Sequence, residues 1–144
     1  MGIIFVRYLN ISMETQKTKT KPFLHNISKS LTASLMAFDL PILIERMKHT
    51  PTWTIEELHA EVLFKSHVRQ IVLTALRAGT EIESYQSDSS VTLQVIEGKI
   101  KIHTRNGSIT LGQGKMLLIK EKMKYSLTTG EDTVLLLTIV KDTL

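Results

Sequence analysis

From residue 58 to residue 140 the chain is a succession of short β-prone runs cut by glycines and turn residues. That punctuation restricts it to a few architectures. The runs are 58–64, 70–76, 91–96, 99–105, 108–111, 116–119, 125–128 and 133–140. Gly79, Gly98, Gly112, Gly114 and Thr129-Gly130-Glu131-Asp132 punctuate them, and Asn106-Gly107 is the strongest hairpin signal in the chain. Many short strands with regular turns predict a β-sandwich or jelly-roll barrel. Gln70 to Leu76 is apolar on both faces, as expected of a strand between two layers. Leu58 to Phe64 is ambiguous, because Thr54-Ile55-Glu56-Glu57 ahead of it imitates a helix capping box. We read it as a strand.

One helix is expected before the strands. Asp39 is a good N-cap, and Pro41 is tolerated in a first turn, where its missing N–H would be unpaired anyway. Leu40, Leu43, Ile44 and Met47 follow the spacing of one buried face, with Glu45, Arg46 and Lys48 opposite. Pro51 is expected to stop it. Trp53, the only tryptophan, reads as a core or interface anchor rather than a stacking platform. The polar, lysine-rich stretch from Thr15 to Pro22 reads as an arm. The expected organisation is therefore a flexible arm at 1–22, a helical extension packing on the barrel at 23–56, and the β-barrel domain at 57–144.

Composition removes several functions. The chain has 144 residues and no cysteine, which excludes disulfides, thiolate zinc sites and a cysteine nucleophile. No run approaches the ~20 apolar residues of a membrane span. A reducing cytoplasm is the expected location. The net charge of +4 comes partly from Lys17, Lys19 and Lys21 and from Lys115, Lys120, Lys122 and Lys124. Solvated lysines account for it, and a nucleic-acid partner is not expected, since no helix-turn-helix segment is present.

The glycines also fix a spacing. Gly79 is followed by five residues, Tyr85-x-Ser87, three residues, Val91, six residues and Gly98. Gly114 is followed by five residues, Lys120-x-Lys122, two residues, Tyr125, three residues and Thr129. This arrangement resembles the two motifs of the cupin superfamily, over about residues 58–140, with a compact 15-residue gap between Gly98 and Gly114. The resemblance implies an all-β, double-stranded β-helix barrel (the cupin jelly roll) with a short N-terminal helix. It also implies where a metal would sit. The family's first motif places two histidines and a glutamate at the positions of Tyr85, Ser87 and Val91, and its second places a histidine at Tyr125. All four differ here. Valine binds no metal, neutral serine is a poor ligand, and tyrosine must first ionise from an ordinary pKa of about 10. Lys120 and Lys122 replace the second motif's proline and glycine, which leaves the shape of that turn open.

The expectations that follow are no metal, no cofactor and no assigned catalytic residue. Tyr85, Ser87, Val91 and Tyr125 become candidate ligand-binding residues. On the resemblance, both tyrosines point into the barrel, as the walls of a small-molecule pocket or as its filling. A cupin-like binding or sensor module in a homodimer is the first reading. A cupin-type isomerase, decarboxylase or oxygenase is the alternative, with displaced ligands such as His59, His67 or His103, or with acid–base work by Tyr85, Tyr125, Glu81 or Glu83. His103 extends the alternation Lys99, Lys101, His103, Arg105, which reads as a water-facing stripe opposite Ile100 and Ile102. Phosphate or nucleic-acid contact is its sharper alternative. Glu81 and Glu83 read as surface carboxylates at a strand entry.

Overall fold

The computed structural model describes residues 35–50, 58–83 and 88–141. The helix, α1, spans Leu40–Lys48 and follows from its sequence. The Asp39 carboxylate accepts the Ile42 N–H at 3.2 Å, and Pro41 sits in the first turn. Arg46 and Lys48 place positive charge at the negative end of the helix dipole. The helix ends before Pro51 is reached. The backbone N–H groups of His49 and Thr50 donate to Arg46 and Met47, and the Thr50 hydroxyl donates to the Met47 carbonyl at 2.7 Å. Pro51, Trp53 and the expected arm at 1–22 lie outside the described residues.

Nine strands follow among the described residues: β1 (Leu58–Lys65), β2 (Arg69–Leu76), β3 (Glu81–Glu83), β4 (Ser89–Glu97), β5 (Lys99–Thr104), β6 (Gly107–Gly112), β7 (Met116–Ile119), β8 (Ser126–Thr129) and β9 (Thr133–Lys141). Leu58 onward is a strand, as read. The Asn106-Gly107 hairpin forms too. Its loop is Arg105-Asn106, and Gly107, at φ +136°, already pairs with Thr104. The strands build two antiparallel sheets, ordered β1-β2-β9-β4-β7 and β3-β8-β5-β6.

Alternation decides what each sheet buries. On β5, Ile100 and Ile102 face inward while Lys99 and Lys101 are exposed. The inner core gathers such residues from both sheets, among them Val72, Leu93, Val95, Ile102, Leu127 and Leu137. β2 and β9 are apolar on both faces because both faces are covered. Val72 and Leu76 enter the inner core, whereas Leu73 and Ala75 turn the other way. With Leu63 and Val134 they form a second cluster, closed by Leu43, Ile44 and Met47 of α1. The helix is thus a cover on the outside of the larger sheet. Lys48 pins its end to Glu97 at the end of β4, at 2.8 Å. Both side chains are substantially exposed, so the pair contributes less than about 1 kcal/mol.

Gly98, between β4 and β5, is required by space as well as by its φ of +89°. A Cβ there would lie 2.5 Å from the Asp132 carbonyl and 2.8 Å from the Thr133 Cα, both backbone atoms that cannot swing away. The turn ahead of β8 has a lysine where the resemblance expects a glycine. Lys122 itself takes φ +65° and is the only non-glycine residue with positive φ among the described residues.

Candidate functional site

Of the four expected site residues, the structure describes two. Tyr85 and Ser87 lie outside the described residues. Val91 sits on β4 with Ile139 of β9 on one side and Ile119 of β7 on the other. It packs against the inner core. Tyr125 immediately precedes β8 of the opposite sheet and packs against the same core. The two motifs therefore do deliver Val91 and Tyr125 to one interior from opposite layers. What Val91 occupies is an aliphatic row across three strands, an environment that disfavours a charged carboxylate.

No group of His, Asp or Glu among the described residues is arranged to hold a metal. The four described histidines have other surroundings. His49 caps the helix, its Nδ1 lying 2.7 Å from the Glu45 carbonyl oxygen. His59 Nε2 lies 3.1 Å from the Glu61 carboxylate, on the half of β1 that turns away from the inner core. His67 is exposed in the turn between β1 and β2. His59 and His67 do not meet across strands: His59 is near the start of β1 and His67 lies beyond its end. His103 is on the outer face of the smaller sheet, where Nε2 meets the Thr128 hydroxyl at 3.2 Å. The water-facing stripe is thus real, but His103 is half-buried in it.

Glu81 and Glu83 are exposed while Ile82 between them is buried, so both carboxylates stand on the outside of β3. Pairing then creates a relationship invisible in the sequence. Glu83 is opposite Ser126, and Ser126 is opposite His103, so the three form one row across β3, β8 and β5. This row edges a concavity of about 310 Å³ at the end of the smaller sheet, completed by Thr104, Arg105, Lys124 and Tyr125. Tyr125 therefore belongs both to the inner core and to the wall of this concavity. Ser126 and Thr104 carry no motif that would have singled them out.

Among the described residues, the interior holds one orphaned polar side-chain atom. Thr74, on β2 between the inward residues Val72 and Leu76, is fully buried, and its hydroxyl has no hydrogen-bond partner among the described residues. Its neighbours in the row are Ala60 and Leu135, so nothing polar is offered across the strands. The other buried threonines are satisfied, and they close the barrel at the end where Gly79 and Gly98 turn.

No protein-family model matches the chain, and none of the curated proteins matches it in sequence. Solved structures do match it in shape. The two facing antiparallel sheets, ordered as above, define a jelly-roll β-barrel with an external helix. A cupin-2 domain containing protein from Shewanella frigidimarina superposes with a TM-score of 0.57 at 17% identity, covering 74% of this chain and 95% of that one. The EutQ protein of Clostridium difficile gives 0.62 at 13% identity, over 78% and 85%. The cupin_2 domain of an XRE-family transcriptional regulator from Enterobacter cloacae gives 0.55 at 13%, over 60% and 99%. The fold of this protein is that of the cupin superfamily.

Proposed function

We propose that this protein is a cupin-like module that binds a small molecule at the Tyr125 end of its barrel without the family's usual metal. One observation carries the reading: Tyr125 packs on the inner core and also lines an open, polar-walled concavity. Of the two described positions of the family's ligand set, Tyr125 lines the concavity and Val91 does not, and neither a neutral phenol nor an alkyl group is an ordinary metal ligand. A sensor role is in keeping with the similarity to a regulator's cupin_2 domain.

A thermal-shift screen against a panel of small metabolites tests it, run on the native protein and on Tyr125→Leu. A stabilising ligand whose effect disappears in the variant is expected. Stoichiometric iron, manganese, nickel or zinc in the purified protein would overturn the reading in favour of a metal-dependent enzyme. The same geometry argues against that alternative, because no described histidine lies on the inner face.

A homodimer in the cytoplasm completes the proposal. No helix among the described residues is long and apolar enough to cross a membrane. Exposed sheet edges invite pairing unless charge, bulges or brevity guard them. β3 is short and carries two glutamates, β7 is flanked by Lys115 and Lys120, and β1 is bulged between Val62 and Phe64. β6 has none of these guards: it is uncharged and largely exposed, so it is the edge proposed to pair with a second copy. A monomeric mass at every concentration in light scattering would remove this part.

A further inference from the structure

We infer that the concavity beside Tyr125 is an oxyanion site, selective for a compact acid that carries a hydrogen-bond donor at its other end. The inference rests on the preceding reading in taking this end of the barrel as the binding end, and it names the ligand's chemistry.

Charge is the first reason. Arg105, from the β5–β6 turn, and Lys124, ahead of β8, come from distant parts of the sequence and line one concavity. Neither has an ion-pair partner among the described residues. Against these two cations the concavity sets a single carboxylate, Glu83 on its far side, so its charge is net positive and a bound anion relieves the excess. Hydrogen bonding is the second reason. A guanidinium presents a planar fork that matches a carboxylate or phosphate, and an ammonium adds a point charge. Ser126, at the middle of the cross-strand row, has a hydroxyl without a partner among the described residues and can donate to the same oxyanion. The His103 ring is beside it, with Nε2 engaged by Thr128 and Nδ1 at the other corner of the ring.

Glu83 supplies the selectivity. It stands two strands from His103, about 10 Å by the ordinary spacing of a sheet. At that distance a carboxylate opposes a second negative charge on the ligand and accepts a hydrogen bond from an amine or hydroxyl. A ligand with an acid at one end and a donor at the other satisfies both ends of the row. A polyanion does not.

The test is a titration of the full-length, isotope-labelled protein with butyrate, inorganic phosphate and 4-aminobutyrate. It is followed through the amides of Thr104, Tyr125 and Ser126 and the imidazole of His103. Saturable shifts are expected, with 4-aminobutyrate binding more tightly than butyrate. Arg105→Ala and Lys124→Ala should each weaken binding about tenfold, the effect of losing one charge-assisted contact. Glu83→Gln should weaken 4-aminobutyrate and leave butyrate unchanged. These side chains are exposed, so the variants should keep the native spectrum elsewhere, and that spectrum is the folding control. Shifts that survive both the Arg105 and Lys124 substitutions would overturn the oxyanion assignment while leaving a ligand at Tyr125. A neutral metabolite that moves Tyr125 when none of the anions does would overturn it equally. If Tyr125 responds to nothing in the wider metabolite panel either, the binding-module reading itself fails.

Discussion

Gly79 donates its backbone N–H to the carbonyl of Thr129 at 2.9 Å, so the first residue of one glycine-anchored segment closes on the last residue of the other. Thr129 is the hub of this closure. Its own N–H donates to the Thr80 carbonyl at 3.0 Å. Its hydroxyl accepts from the Thr80 N–H at 3.0 Å and donates to the Arg77 carbonyl at 2.8 Å. Asp132 braces the same turn by accepting the Ala78 N–H at 2.8 Å. The spacing that defines the two segments is thus a contact between the turn that enters β3 and the end of β8, made by backbone and hydroxyl groups.

Thr129→Val is therefore expected to destabilise the fold. The isostere keeps the volume and removes a hydroxyl that is buried and paired in both directions. It leaves the Arg77 carbonyl and Thr80 N–H with weaker partners, a loss of about 1–3 kcal/mol. Urea denaturation with an unchanged m-value and a lowered midpoint is the expected outcome. An unchanged midpoint would show that the closure does not depend on this hydroxyl.

The same substitution at Thr74 should act in the opposite direction. Its hydroxyl is buried and unpartnered between Ala60 and Leu135. A buried polar group without a partner costs about 1–3 kcal/mol, and Val fills the same space without that penalty. Thr74→Val is expected to raise the urea midpoint by an amount equivalent to about 1 kcal/mol. A marked fall would mean that the hydroxyl is satisfied, by a buried water or a bound ligand, and crystallography of the native protein at high resolution would then locate it.

Lys122→Gly is the third expectation. Lys122 takes φ +65°, where a side chain is crowded by the backbone and glycine is not. The substitution relieves roughly 1 kcal/mol of that crowding but adds freedom to the unfolded chain, which returns part of it. A net gain of about 0.5 kcal/mol is expected, and Lys122→Ala, which retains a Cβ, should give none. Equal effects from Gly and Ala would place the gain elsewhere, in removing one charge from Lys120, Lys122 and Lys124.

The glycine positions and the inward alternation of β5 were legible because each is local. A turn needs its glycine, and a half-buried strand needs its period of two. Lys122 was not legible as a left-handed residue, because a lysine announces nothing about φ. The segment Thr80-Glu81-Ile82-Glu83 was too short and too acidic to read as a separate strand, and only pairing with β8 makes it one. The concavity was not legible either. Glu83, His103 to Arg105, and Lys124 to Ser126 are far apart in the chain, and β3, β8 and β5 bring them side by side. The one hint was the alternation ending in His103 and Arg105. Its outward direction was right, and its neighbours were set by strand order.

The fourth expectation concerns the positions of the missing ligands. Val91→Glu alone places a carboxyl between Ile119 and Ile139. It should destabilise the protein by about 2–4 kcal/mol, because the charge loses its water and gains no partner. Combining it with Tyr85→His, Ser87→His and Tyr125→His supplies three imidazoles to the same ion. If the spacing of the two segments aligns these four positions as in the family, the variant binds a divalent metal that the native protein does not. Its melting temperature then rises with added nickel or zinc, as mass action requires for a ligand of the folded state. The single Val91→Glu protein, lacking the histidines, is the control and should show no such rise. A folded quadruple variant whose melting temperature ignores both metals would break the alignment of Tyr85 and Ser87 with Val91 and Tyr125.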